Sequence, residues 1–294
     1  MTGSEVPEIS VVLAYGGNHA ALMRCLSAIR DSSVRYALIV VCTNDEKDAL
    51  SIGNEDVSFV TTSSTDIGRQ RALGMRASRA PLVAVTRHDT VPASGWLRHF
   101  FEAHRAHDVA AIGGPVIAAV NAGPGALAEY LSEYSRFASK VANEQATDLA
   151  ATNVCYRRDA LPLEAIAGAG YEELSLHARL LREGKRLRYD PAVPVFVADS
   201  QKITTYLRRR FKFSRSFAQR RTEGASLGRR LIWTLGSPLL PSLLIARTTA
   251  GALRNGQERD LLRAFPLVAL FHLAAGFAEG LGYAESFLPG KERL

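Results

Sequence analysis

The stretch VAVTRHDTVPASGWL, residues 83–97, joins an apolar run to a polar cluster. Its first part is rich in β-branched residues, which is typical of a buried strand, and the strand ends at Arg87, His88 and Asp89. A cation site made of protein groups usually needs several oxygen ligands, yet this strand end has a single carboxylate. The chemistry possible here therefore depends on what the neighbouring strands bring to the same place.

The composition is that of a globular chain. A length of 294 residues with 47% hydrophobic content can bury a substantial core, and it fits one large domain or one domain with an appendage. The three cysteines, Cys25, Cys42 and Cys155, are odd in number and widely spaced. This pattern argues against a disulfide framework and a cysteine-based zinc site, so we expect buried thiols in a reducing compartment.

Short β-branched runs alternate with helical stretches between residues 9 and 120. The segments ISVVLAY, YALIVVCT, VSFVTT and PLVAVTR predict strands, whereas HAALMRCLSAIRD and IGRQRALGMRAS predict helices. Continuous apolar strands indicate burial on both faces, as in a mostly parallel sheet covered by helices. The predicted fold class is α/β. Ligands of such a sheet bind at the carboxyl ends of its strands, which here are residues 14–16, 42–45 and 87–89.

The chain after residue 120 continues with helical and extended patterns. The segment EELSLHARLLREG predicts a helix, and residues 127–140 predict another. The segment LRYDPAVPVFV predicts one returning edge strand, because Pro191 and Pro194 would be poorly tolerated in a central strand.

The basic charge is concentrated in residues 202–230. This segment holds ten basic residues and one acid, Glu223, in a chain whose net charge is +7. Apolar residues at helical spacing predict a basic amphipathic helix, which can lie on an anionic membrane surface. Two uncharged apolar segments follow, residues 231–246 and 264–278, and both are shorter than the ~20 residues of a comfortable spanning helix. We predict membrane association, as a tilted or re-entrant hairpin or as interfacial helices; ordinary core helices are the alternative.

The ordered set of segments resembles family 2 glycosyltransferases with the GT-A fold. The resemblance covers about residues 9–197 and depends on the strand and helix segments above together with RHDTVPASGWL, ATNVCYRRDAL and YEELSLHARLLREGKRLRYDP. The later segments YLRRRFKFSRSFAQRR and FAEGLGYAESFLPG resemble the membrane-associated branch that makes bacterial exopolysaccharides, including succinoglycan-type enzymes. The resemblance implies a Rossmann-like GT-A domain in residues 1–200 and a membrane-associating helical region in residues 201–294.

The resemblance also implies a donor site at the strand ends. Asp89 matches the last carboxylate of an acidic triplet that holds a divalent cation, Mg²⁺ or Mn²⁺, on the donor's diphosphate, whereas Arg87 and His88 depart from that triplet. Val197 stands where many members have a histidine that reaches the metal, and Cys42 with Thr43 replaces aspartates that contact the nucleotide. These departures leave a metal site on Asp89 in question.

A fixed cation could take over part of the metal's role. A guanidinium binds phosphate oxygens bidentately and keeps its charge. We hypothesise that Arg87 partly replaces the metal, helped by Arg71, which matches a family position lining the donor pocket. The alternatives are a weaker metal site on Asp89, an Arg87 that merely pairs with Asp89 or a nearby acid, and an inactive site. Tyr15 is either a stacking surface for the donor's base or a core aromatic.

The catalytic base implied by the resemblance is Glu173, with Glu172 as the neighbouring candidate. An inverting transfer needs a carboxylate that accepts the proton of the attacking acceptor hydroxyl. Two acids in a first helical turn could instead simply favour the helix dipole. Asn153 matches a family position near the acceptor and Trp96 could contact a sugar, although a turn cap and core packing are their alternative roles.

Together these features predict an inverting glycosyltransferase at the cytoplasmic face of the cell membrane. It would move a sugar from a nucleotide-sugar donor to a lipid-linked or polysaccharide acceptor. The alternative is a catalytically degenerate GT-A protein that serves as a donor-binding or scaffold subunit of a polysaccharide assembly system. Nucleic acid is not an expected partner, because apolar segments follow the basic residues and no sheet of stacking aromatics is evident.

Overall fold

The computed structural model describes residues 6–30, 33–50, 57–120, 122–197 and 202–287. The chain divides into two compact units, one formed by residues 1–119 with 137–199 and the other by residues 120–136 with 200–294. The predicted domain boundary at residues 198–201 and both predicted outer ends, residues 1–5 and 288–294, lie outside the described residues.

Ten strands are described. They are β1 (Ile9–Ala14), β2 (Tyr36–Cys42), β3 (Val57–Thr61), β4 (Leu82–Arg87), β5 (Thr90–Pro92), β6 (Ala111–Gly113), β7 (Val116–Ala118), β8 (Asn153–Arg157), β9 (Leu187–Tyr189) and β10 (Val195–Val197). The first unit is built on a seven-stranded sheet in the order β3-β2-β1-β4-β8-β6-β9. Neighbouring strands run parallel except at β8, which is antiparallel to both β4 and β6. The predicted α/β class with a mostly parallel sheet is confirmed.

The described helices are α1 (His19–Arg30), α2 (Asn44–Ala49), α3 (Ile67–Ala77), α4 (Trp96–Ala106), α5 (Pro124–Tyr134), α6 (Leu163–Ala169), α7 (Glu173–Arg182), α8 (Ile203–Thr222), α9 (Leu227–Gly236), α10 (Leu240–Arg254) and α11 (Glu258–Glu285). Apolar residues at helical spacing explain why the helices of the first unit cover the sheet. In α1, for example, the buried side chains include Leu22, Leu26 and Ile29, which recur on one face. Every residue of β1 is buried, as its continuous apolar sequence predicts.

The single edge strand predicted for LRYDPAVPVFV is wrong, because the chain forms two strands there. It turns after β9, where Asp190 Oδ1 accepts a hydrogen bond from the amide of Ala192 at 2.9 Å. β9 does lie at the edge of the large sheet, but β10 is the middle strand of a second, three-stranded sheet ordered β5-β10-β7. Pro191 and Pro194 both fall in the connection between the strands, where a missing N–H costs no ladder bond.

The second unit includes α5, which precedes residue 200 in the chain. Hydrogen bonds tie this helix to the tail: Arg209 of α8 donates to Glu129 at 2.9 Å, and Gln257 Nε2 donates to Tyr130 Oη at 2.6 Å. The sequence assigns residues 1–200 to one domain, whereas α5 packs against α11 within the second unit.

Two helical segments of the second unit are long and apolar enough to cross a membrane by length and composition. They are Leu227–Arg254 and Glu258–Glu285, each of 28 residues, and they contain 18-residue windows with mean hydropathies of 1.2 and 1.7. The first consists of α9, a short 3₁₀ turn and α10, with Pro238 and Pro241 at the junction. Large side chains remain exposed on both, such as Leu235 at 78% and Leu262 at 82%. Both helical segments are longer than the uncharged segments, residues 231–246 and 264–278, because charged residues lie within their ends.

Candidate active site

The carboxyl ends of β1, β2 and β4 lie at one edge of the sheet. Ala14 pairs in register with Val41 of β2 on one side and with Arg87 of β4 on the other. Just beyond β1, the amide of Tyr15 donates to the carbonyl of Val41 at 2.9 Å. The three strand ends predicted to meet therefore do meet, at the edge where α/β sheets bind ligands.

Arg87 and Asp89 form a side-on ion pair at the end of β4. Arg87 Nε donates to Asp89 Oδ1 at 2.8 Å, and Arg87 Nη2 donates to Asp89 Oδ2. Both side chains are largely shielded, with 13% and 8% of their surfaces exposed. This is the pairing that we named as an alternative role for Arg87. It fixes the plane of the guanidinium, and it occupies both oxygens of the single carboxylate at this strand end.

The side chain of His88 packs against the residues that end and follow β1. Its Nδ1 lies 3.3 Å from the carbonyl oxygen of Ala14, and its ring meets the ring of Tyr15 edge-on at a centroid distance of 5.7 Å. A Cβ on Gly16 would come within 2.4 Å of the imidazole, so only glycine fits there without a shift. Tyr15 is 6% exposed, and burial, with Glu46 as a second cause, raises its pKa. The raised pKa keeps the phenol neutral at physiological pH.

The second strand end is used locally. Thr43 caps α2: its hydroxyl accepts from the amide of Glu46 at 3.3 Å, while Glu46 Oε2 accepts from the amide of Thr43 at 2.8 Å. This reciprocal capping box satisfies backbone groups at the start of a six-residue helix. Thr43 thus has a structural role where the family resemblance implied a nucleotide contact.

Trp96 and Asn153, the two residues proposed near the acceptor, contact each other inside the core. Trp96 Nε1 donates to Asn153 Oδ1 at 2.9 Å, and Asn153 Nδ2 donates to the carbonyls of Pro115 at 2.9 Å and Val193 at 2.7 Å. Asn153 has 0% and Trp96 has 2% of its surface exposed. These contacts give both residues a structural role, and acceptor binding by either residue stays a prediction.

Glu172 and Glu173 lie at the start of α7, as the sequence predicts. Glu173 is the first helical residue, Glu172 precedes it, and both side chains are partly exposed. Glu172 accepts a hydrogen bond from the hydroxyl of Ser175. The neighbouring Tyr171 is buried, and after burial itself the carboxylate of Glu173 is the largest cause that raises the pKa of Tyr171.

Arg71, which belongs to α3, contacts the same tyrosine. Its guanidinium carbon lies 5.7 Å from the ring centroid of Tyr171, a cation–π arrangement, and the residue is 7% exposed. The buried Nε of Arg71 has no hydrogen-bond partner among the described residues. Backbone contact joins the two helices, because the amide of Tyr171 donates to the carbonyl of Gly68 at 3.0 Å. Arg71 thus contacts the tyrosine that lies two residues before Glu173 in the chain.

The sequence did not reveal a set of polar side chains that are hydrogen-bonded to Tyr171 and to one another. Tyr171, Tyr156, His177 and Asp148 form a chain of hydrogen bonds in the core of the first unit. A signal was available, since His177 lies among Leu176 and Leu180 on the buried face of α7. A polar side chain at such a position requires a partner. The identity of its partners, however, depends on tertiary contacts with residues 20–30 positions earlier.

The carboxylates of Asp89 and Glu46, which follow β4 and β2, are engaged with protein groups. Asp89 bonds Arg87 through both oxygens, and Glu46 bonds the amide of Thr43 in the cap of α2. Within residues 6–30, 33–50, 57–120, 122–197 and 202–287, no group of three His, Cys, Asp or Glu side chains could hold a metal ion. Val197, in the position of the family's metal-reaching histidine, offers no ligand.

The mostly parallel α/β fold described above has counterparts among solved structures. Among solved structures, the chain is similar to the mannosyltransferase PcManGT from Pyrobaculum calidifontis, determined in complex with GDP-Man and Mn²⁺. The two share 15% sequence identity with a TM-score of 0.56, over 94% of this chain and 88% of that chain. The likeness therefore extends well beyond the first unit into the helical tail. No family model matches the sequence, and no curated protein matches it. At this identity the comparison shows a shared fold.

Proposed function

We propose that this protein is an inverting glycosyltransferase that uses a nucleotide-sugar donor. The observation that carries the proposal is the contact of the buried Arg71 guanidinium with the ring of Tyr171, two residues before Glu173 in the chain. The amide of Tyr171 also bonds the carbonyl of Gly68, so the segment that carries the partly exposed Glu173 adjoins the helix that carries the cation. A solved structure of the same fold holds a nucleotide-sugar, which supports the choice of donor.

In the proposed reaction, the acceptor hydroxyl attacks the anomeric carbon from the face opposite the nucleoside diphosphate. The new C–O bond forms as the bond to the diphosphate oxygen breaks, and the leaving group takes the electron pair. Glu173 accepts the hydroxyl proton, with Glu172 as the neighbouring carboxylate. Arg71 and Arg87 stabilise the negative charge that develops on the diphosphate.

The unpartnered Nε of Arg71 supports its assignment to the donor. A buried N–H without an acceptor costs on the order of 1–3 kcal/mol, and a phosphate oxygen would satisfy it. Arg87 is held in one orientation by Asp89, so little conformational freedom is lost when it meets a phosphate. Tyr15, with its ring at the same edge, is the proposed surface for the donor's base.

The test combines ligand binding with turnover. Nucleotide-sugars are screened by thermal shift, because a ligand at 100 times its Kd stabilises the folded state by about 2.7 kcal/mol. Sugar transfer or donor hydrolysis is then measured for the wild type, Glu173→Gln and the neighbouring control Glu172→Gln. Removal of a general base lowers kcat by about 10²–10⁴-fold, and we expect this loss in Glu173→Gln with donor affinity retained. Full activity in Glu173→Gln contradicts the proposed base.

The metal question has its own experiment. We expect turnover to persist in the presence of a chelator and to fall in Arg87→Ala, because no metal cluster is formed by the described residues. Arg87→Lys keeps the charge but loses the side-on geometry, so it should recover only part of the activity. Strict dependence on Mn²⁺ or Mg²⁺ would show instead that Asp89 leaves Arg87 to hold a cation.

A donor-binding or scaffold subunit is the second candidate function. The Arg87–Asp89 ion pair favours this second function. If a metal site had lost its other ligands during evolution, its last carboxylate would be expected to pair with a cationic side chain in this way. A nucleotide-sugar that stabilises the protein without transfer or hydrolysis, in the presence of membranes and lipid-linked acceptors, would support this function.

We also propose that the tail holds the protein at the cytoplasmic face of the membrane, where a lipid-linked or polysaccharide acceptor would be available. The support is the pair of apolar helical segments of 28 residues and the basic helix α8 that precedes them. Exposed leucines on these segments would be costly in water, and arginines favour an anionic surface. Family 2 membership and a role in bacterial polysaccharide synthesis remain part of this proposal.

A further inference from the structure

A chain of hydrogen bonds links α7 and the preceding Tyr171 to strand β8 of the seven-stranded sheet. Tyr171 Oη and Tyr156 Oη are 2.9 Å apart, Tyr156 Oη and His177 Nε2 are 2.8 Å apart, and His177 Nδ1 lies 2.9 Å from Asp148 Oδ1. Tyr156 and His177 both have 0% of their surface exposed. We call these four residues the tyrosine–histidine chain. The proposed chemistry does not use any of them directly.

The direction of each hydrogen bond in this chain follows from its last member. An ionised carboxylate can only accept, so we assign the proton on the imidazole to Nδ1, which donates to Asp148. The other nitrogen of a neutral imidazole then accepts from the hydroxyl of Tyr156, whose oxygen is left to accept from the hydroxyl of Tyr171. Asp148 is held in turn by the amide of Leu149 at 2.9 Å. That amide also lies 3.4 Å from His177 Nδ1, and we take its shorter contact, with Asp148, as its main hydrogen bond. On this assignment each group of the chain donates to the next, from Tyr171 to Asp148.

The chain connects three separate segments to the two groups of the proposed reaction. Tyr156 belongs to β8, Asp148 precedes that strand, and Tyr171 and His177 lie on either side of Glu173 in sequence. His177 is four residues after Glu173, so the two share a side of α7. Tyr171 also has the guanidinium of Arg71 over its ring. Any shift of Tyr171 or α7 would therefore move the base relative to the cation.

We propose that Tyr156 and His177 are positioning residues that hold Glu173 and Arg71 at a fixed separation. This inference rests on the proposed function, because it assigns the reason why a buried polar chain is maintained behind the base. Burial raises the pKa of Tyr156, and the tyrosine hydroxyl acts here as a hydrogen-bonded neutral group. The chain therefore works through geometry and not through a charge of its own.

The test removes one oxygen atom. Tyr156→Phe deletes the hydroxyl that bridges Tyr171 and His177 while keeping the ring in the core. The matched control is Tyr189→Phe, which deletes a buried hydroxyl of the same core cluster that donates to the carbonyls of Phe137 and Ser139. Because a displacement of about 1 Å can cost 10²-fold in rate, we expect kcat to fall at least about tenfold in Tyr156→Phe with the donor KM changed less than about twofold. Tyr189→Phe should keep the wild-type kcat.

Conservative replacement of the histidine gives an independent check. Gln at position 177 can still bond the hydroxyl of Tyr156, whereas Leu cannot. We expect His177→Gln to retain more activity than His177→Leu. Equal losses in the two variants would mean that only the shape of the imidazole matters, and would overturn the proposal.

Hydrogen exchange distinguishes failure of this inference from failure of the proposed function. We expect the amides of residues 173–177 to exchange faster in Tyr156→Phe than in the wild type, and to be unchanged in Tyr189→Phe. Wild-type exchange in Tyr156→Phe, or equal acceleration in both variants, overturns the positioning role whatever the activity. If the wild type turns over no nucleotide-sugar, the proposed function fails, and the exchange comparison still decides whether the chain holds α7.

Discussion

Replacing Asn153 with alanine should unfold the protein more readily before it affects any acceptor. The side chain satisfies three buried groups: the indole N–H of Trp96 and the carbonyls of Pro115 and Val193. Each group left without a partner costs about 1–3 kcal/mol, and some relaxation is expected, so we predict a loss of about 4 kcal/mol. That is a large share of the ~5–15 kcal/mol by which a domain is stable.

The measurement is urea unfolding of the full chain followed by circular dichroism, for Asn153→Ala, Trp96→Phe and the double variant. Trp96→Phe removes one of the three bonds, so its loss should be smaller, about 1–2 kcal/mol. Because the two residues contact each other, the double variant should lose less than the sum of the two single losses. A loss below about 1 kcal/mol in Asn153→Ala, together with a raised acceptor KM, would refute the structural role and favour acceptor binding.

Three further predictions concern other parts of the chain. Burial lowers the pKa of His104 to about 4 from 6.5, so the unfolded state takes up a proton before the folded state does. The protein therefore loses stability as the pH falls from about 6.5 to 4. His104→Gln should remove up to about 3 kcal/mol of this loss, measured by urea titrations at each pH. Gly16→Ala should destabilise the first unit by about 1–3 kcal/mol because its Cβ meets the imidazole of His88, and His88→Ala in the same chain should restore part of the melting temperature. Replacing the exposed Arg208 and Arg220 with glutamine should weaken binding to anionic vesicles about 30-fold, at roughly 1 kcal/mol per charge. Binding to neutral vesicles in the same flotation assay should not change. An unchanged affinity for anionic vesicles would show that these charges do not face lipid.

The sequence was informative where one physical rule dominates. Continuous apolar runs such as residues 38–41 predicted buried parallel strands, and the strand ends then had to share an edge. The basic helix was likewise visible from helical spacing, because an amphipathic pattern needs no partner to be recognised.

The sequence was less informative where contacts between distant residues decide the outcome. No local pattern distinguishes an Asn that binds a ligand from one that bonds Trp96, which lies 57 positions away. The same holds for His177, whose partners are Tyr156 and Asp148. The turn at Asp190 that divides the predicted edge strand also depended on a side-chain bond, which a β-propensity pattern does not include.

The contact at Gly68 has a consequence for how this site could change in evolution. A Cβ at this position would lie 2.7 Å from the carbonyl oxygen of Tyr171, so main chain rests directly on main chain. The gap between Gly68 of α3 and Tyr171, two residues before α7, is therefore already at its minimum, and no exchange of side chains can narrow it. Substitutions could therefore reshape the surroundings of Arg71 and Glu173 only through other side chains, because the two backbones cannot approach further.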